Sequence, residues 1–135
     1  HVPLLAAGPG IPAGKTSDAL VELIDLNPTI CELAGLHRQP RIDARSFCAT
    51  LGDPAKAHRD DAVSAIRHWD CIRTERYKLV RNWNGANELY DLEADPFEER
   101  NIYDTMRGTN PDLVQDLTAR LFARYNASPY GQPHG

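Results

Sequence analysis

The sequence contains no apolar run near the ~20 residues that a helical membrane span requires. It also lacks any excess of positive charge. Fifteen Lys and Arg stand against nineteen Asp and Glu, for a net charge of −4. Such a chain has no basic surface with which to grip nucleic acid, so nucleic acid is not expected as a partner. Cysteine is scarce: Cys31, Cys48 and Cys71 are the only three. Their spacing fits neither a zinc ligand set nor a C-x-x-C redox pair, and an odd number argues against a closed disulfide framework. Cys31 falls on the apolar face of a predicted helix and Cys71 in a predicted strand. Both read as buried, reduced thiols packing as small hydrophobes. No leader peptide is visible. The chain opens on His1, and Val2-Pro3-Leu4-Leu5-Ala6-Ala7 reads as a buried strand without a lead-in, so the expectation is a piece cut from something longer.

What remains is an ordinary globular composition. The 135 residues are 41% hydrophobic and 25% charged, enough for one core. The opening strand ends in the turn-forming stretch Gly8-Pro9-Gly10-Ile11-Pro12-Ala13-Gly14. Asp25 is placed to cap a helix whose first turn holds Pro28. Ile30, Leu33 and Ala34 share one helical face, and Gly35 ends the helix in the left-handed conformation. Residues 36–51 read as irregular. A composition break follows at Gly52-Asp53-Pro54.

Beyond it the period becomes two. Ala62–Ile66, Cys71–Thr74, Tyr77–Arg81 and Glu88–Leu92 alternate as short strands. Asn84-Gly85 suits a tight hairpin because both residues tolerate positive φ. Such a meander needs a cover on one face. The cover is a helix over 111–125, capped by Asn110, with the stripe Leu113, Val114, Leu117, Leu121 and Phe122. Asp95-Pro96-Phe97-Glu98 signals a short helical turn or a tight bend. Residues 126–135 read as a frayed tail, and Asn126-Ala127-Ser128 is formally a glycosylation sequon with Pro129 against it.

Five phrases in order then resemble one family. They are Val2-Pro3-Leu4-Leu5 with Gly8-Pro9-Gly10, Asp25-Leu26-Asn27-Pro28-Thr29-Ile30, Asp43-Ala44-Arg45-Ser46-Phe47, Ile72 to Val80, and Glu88-Leu89-Tyr90-Asp91-Leu92 with Asp95-Pro96. Together they resemble the C-terminal portion of a type I sulfatase of the alkaline phosphatase superfamily. Ala44 stands where the family usually has Gly. The resemblance implies an α/β protein: residues 1–52 as the last strand and helix of a large catalytic domain, and 53–135 as an α+β subdomain with a small antiparallel sheet under a helix. It implies sulfate ester hydrolysis by a formylglycine nucleophile with calcium. Neither the nucleophile motif nor a calcium ligand set can be placed on this chain, so no catalytic or metal residue is assigned to it. The isolated chain is expected to be inactive.

The segment expected to touch substrate is the loop Arg67-His68-Trp69-Asp70. Arg67 offers a fork for sulfate or carboxylate, and Trp69 a flat face for a sugar or aryl ring. Its plainer reading is a polar turn with Trp69 folded onto the sheet. His1, His37, His58 and His134 read as solvated loop residues. Arg73, Arg76 and Lys78 read as an outward polar face, and the acids from Asp91 to Glu99 as capping and solubility residues. Two competing readings stay open. One is a phosphonate monoester or phosphodiester hydrolase of the same superfamily. The other is a stand-alone interaction module.

Overall fold

A computed structural model describes residues 2–37 and 43–127. The chain divides into two compact units, His1–Asp60 and Asp61–Gly135.

In the first unit, residues 2–7 are exposed and make no strand. A strand exists only through ladder partners, and none is present among the described residues. The expected opening strand is therefore not formed here. Helix α1 spans Leu26–Leu33 and α2 spans Cys48–Gly52. α2 lies within the stretch read from sequence as irregular. Gly35 ends α1 at φ +66°, as expected. The buried side of α1 is Pro28 and Thr29, whereas Ile30 and Leu33 are 62% and 63% exposed. A polar anchor sets this orientation. The Thr29 hydroxyl donates to the Asp25 carbonyl and accepts the Phe47 amide. That turns Thr29 inward and the apolar stripe outward.

The second unit is a four-stranded antiparallel meander, β1 (Ala62–Ile66), β2 (Trp69–Arg73), β3 (Tyr77–Asn82) and β4 (Glu88–Asp91), in sequential order. Register aligns Val63, Ile72, Leu79 and Leu89 in one row across all four strands. Helix α3 (Tyr103–Thr109) and helix α4 (Pro111–Ala127) follow. Val114, Leu117 and Leu121 of α4 pack on that row to form the core. Full burial of each Leu or Ile there contributes about 1.5–3 kcal/mol. Asn110 caps α4 as expected, its side chain accepting the Leu113 amide.

Other local expectations are corrected. Neither Asn84 nor Gly85 takes positive φ; the β3–β4 connection is a longer loop, tied by Asn82 and Asn87. Asp95 accepts the amides of Glu99 and Arg100 in a tight bend, and Glu98 pairs with Lys78 instead of closing a capping box. Phe122, placed in the apolar stripe, is 42% exposed. The tail beyond Ala127, with Ser128 of the sequon, lies outside the described residues, as do His1 and His134.

Candidate functional site

One end of the sheet gathers the residues expected from sequence to touch substrate. The β1–β2 connection is the two-residue turn Arg67-His68, since Ile66 pairs directly with Trp69. The expected four-residue loop is thus shorter: Trp69 and Asp70 already belong to β2. Arg67, His68 and Trp69 cluster at this tip, all exposed, Trp69 by 37%. The β3–β4 loop reaches the same end. The Trp83 amide donates to the His68 carbonyl at 2.9 Å. Both tryptophans of the chain are therefore at one edge.

Strand alternation sends neighbouring residues to opposite faces. Trp69 pairs with Asn82 on the outer face, while Asp70 pairs with Arg81 on the face that carries the core. Asp70 is 2% exposed. Arg81 Nε lies 3.1 Å from its carboxylate, and the Arg81 guanidinium stacks 4.4 Å from the Phe122 ring centroid. Beside this pair is an open cleft of about 350 Å³, lined by Arg81, Asn82, Trp83, Asn87 and Tyr103 above Leu79. Its wall is rigidly wired. Asn87 accepts the Asn82 amide at 3.0 Å and donates to the Tyr103 hydroxyl at 3.2 Å. Asn101 ties in behind, accepting the Leu89 and Tyr103 amides and donating to the Asn87 carbonyl. From sequence, residues 82–87 read only as a turn. The signal for more was Trp83, a large ring in a segment that needs no ring to turn.

The first unit holds a second polar constellation around Asp25, which is fully buried. Asp25 does not cap α1 with its side chain. Its carboxylate accepts the amides of Glu22 at 3.0 Å and Arg45 at 2.7 Å. It also accepts both ends of the Arg59 guanidinium, and His58 Nε2 sits 3.1 Å away. Burial by itself would raise this carboxyl, but the Arg59 hydrogen bond, then the Arg45 and Glu22 amides and His58, hold it at about 2. A carboxylate so saturated has no spare proton affinity for acid–base work. Its role is to join two phrases: Asp25–Thr29 holds the backbone of Arg45 and Phe47, and Arg59 donates to the Asp43 carbonyl. His58, expected to be solvated, is instead packed here with its side chain 6% exposed. Ala44 is buried without positive φ, so its methyl fits where the family usually has Gly.

Comparison with known proteins decides the family. The family model described as N-sulphoglucosamine sulphohydrolase, C-terminal, matches residues 1–126. The chain belongs to this family. Among curated relatives, mouse (Mus musculus) arylsulfatase K is 32% identical over 138 residues, covering 90% of this chain and 24% of that protein. A solved protein in complex with its substrate D-glucosamine-2-N,6-O-disulfate superposes with a TM-score of 0.76 at 26% identity, covering 87% of this chain and 26% of that one. The phosphonate monoester hydrolase of Agrobacterium radiobacter has a TM-score of 0.59 at 24% identity over 81% of this chain and 27% of its own, a likeness of fold alone. The chain spans about a quarter of the length of the mouse relative.

Within this sulfatase C-terminal family, the calcium that the resemblance implies does not fit the residues at hand. Among the described residues no group of three or more His, Cys, Asp or Glu is arranged to hold a metal ion. Nor is any helix of the described residues long and apolar enough to cross a membrane. Cys71 is buried, and that burial pushes its thiol above the ordinary range. Cys31 and Cys48 are only half-buried, less enclosed than the helical pattern implied for Cys31.

Proposed function

We propose that this chain is the C-terminal portion of an enzyme that hydrolyses sulfate esters of saccharides. The first unit ends the large catalytic domain and the second closes the substrate pocket. The observation that carries this reading is the sulfatase C-terminal family match across residues 1–126. The glucosamine disulfate held by one similar solved protein supports a sugar substrate.

In this reading the chain supplies binding and exclusion of water, not the reacting atoms. The Arg67 guanidinium presents parallel N–H donors matched to two oxygens of a sulfate. Trp69 offers a ring face to the apolar side of a sugar. A two-residue turn between paired strands fixes both with little entropy left to lose on binding. The formylglycine nucleophile and calcium of the family belong to parts of the enzyme other than these residues.

The test uses the full-length enzyme that carries this chain. Sulfate release from 4-methylumbelliferyl sulfate and from glucosamine 6-sulfate is expected. Cleavage of a phenylphosphonate monoester without sulfate release would overturn the reading in favour of a phosphonate hydrolase. Trp69→Ala and His68→Ala should each raise KM about three- to tenfold. An unchanged KM would remove the tip from the pocket wall.

A further inference from the structure

The cleft beside Arg81 is open among the described residues. We propose that it binds an anionic sugar ring, carrying its charge as sulfate or carboxylate, separately from the Arg67-His68-Trp69 tip.

Three observations carry this. The first is Arg81. Its Nε lies 3.1 Å from the buried Asp70 Oδ1 as an ion pair without hydrogen-bond geometry, and its Cζ sits over the Phe122 ring. Its two terminal amino groups have no hydrogen-bond partner among the described residues, although the side chain is only 22% exposed. An arginine restrained on two sides and open on the third is a preorganised fork for an anion. The second is Trp83. It is 50% exposed and takes no part in the core, yet its backbone is pinned to His68. A large apolar ring held out of the core forgoes burial, and its flat face matches the C–H face of a pyranose. The third is Tyr103. Its hydroxyl accepts from Asn87, which leaves its own proton to donate to a sugar hydroxyl or to the anion.

Size and charge narrow the class. About 350 Å³ lies at the small end of ligand clefts, suited to a ring or two and not to a folded partner. The chain's net charge of −4 disfavours a polyphosphate backbone. One fixed cation beside a stacking face instead selects a singly charged sugar unit. The sulfatase reading supplies the identity of the charged group; the existence of the site rests on the cleft alone.

The experiment titrates a heparin-derived tetrasaccharide into the full-length enzyme and follows amide hydrogen exchange by mass spectrometry, with Kd from calorimetry. Exchange across 82–87 and 103–106 should slow on binding. Trp83→Ala should weaken Kd about fivefold or more, and Trp83→Phe, which keeps a ring face, should stay within about twofold. Unaltered exchange at 82–87 in the wild type overturns the proposal without relying on any variant. So does an unchanged Kd in Trp83→Ala. Release of sulfate from 4-methylumbelliferyl sulfate tests the enzyme reading independently. Failure of that assay together with protection of 82–87 would retain the saccharide site and remove the sulfatase reading.

Discussion

Asp25→Asn is the most demanding test of the first unit. The wild-type carboxylate sits at about 2 against an ordinary 3.8, which corresponds to about 2 kcal/mol of stability at neutral pH. The sign follows from the depressed value. The contribution is complete above pH 3.8 and vanishes as pH falls through about 2. Asparagine removes the charge while leaving Arg59 almost wholly buried, its side chain 1% exposed, with Glu22 as a longer contact at 3.5 Å. An amide nitrogen is also turned toward the donors that the carboxylate accepted. Breaking one side of a buried pair costs about 3–5 kcal/mol. The readout is hydrogen exchange across 43–48 in the full-length protein, because Asp25 and Thr29 hold the Arg45 and Phe47 amides. Exchange there should accelerate about a hundredfold or more. Asp25→Asn combined with Arg59→Gln should cost less than the two changes summed, since neither charge is then left alone. If exchange at 43–48 moved less than about threefold, or the two changes simply added, the hub would not be what holds these segments together.

The remaining tests are simpler. Leu79→Ala removes a fully buried residue at the centre of the row beneath α4, and should cost about 2–5 kcal/mol in urea unfolding. Gly35→Ala places a methyl in open space but at φ +66°, so strain alone should cost about 1–2 kcal/mol, read as a lower melting temperature. The isolated 135-residue chain should give no turnover of 4-methylumbelliferyl sulfate and should self-associate on gel filtration. It exposes Leu5 by 95%, Leu23 by 68% and Leu36 by 63%. A monodisperse chain with activity above background would contradict both statements.

The second unit was largely legible in the sequence, because its signals are local. Alternation placed Ala62–Ile66 without error, and the Leu113-to-Leu121 stripe with the Asn110 cap placed α4. Helix α3 is hard to read because Tyr103–Thr109 is short and contains Gly108, with Tyr103 and Met106 alone to mark its apolar side; these two and Ile102 pack on the core, and Asn101 accepts the Tyr103 amide. The first unit was harder for a different reason. Asp25 reads as a cap when only its neighbours are considered. Its actual partners Arg45, His58 and Arg59 are 20 to 34 residues away, beyond any periodic pattern. Residue type singled out Arg67, His68 and Trp69, and strand pairing places them at the β1–β2 turn; their contact with substrate is the proposal tested above. The adjoining cleft was not legible, because Arg81, Trp83 and Tyr103 come from three elements that only tertiary structure brings together.

The single backbone bond from Trp83 to the His68 carbonyl has a consequence for anyone redesigning this protein. The two hairpin tips form one mechanical part. Grafting a longer β3–β4 connection from a relative would drag the Arg67-His68 corner with it. Swapping that corner alone would leave Trp83 without its anchor. Exchanges between homologues at this edge should therefore move both loops as a matched set.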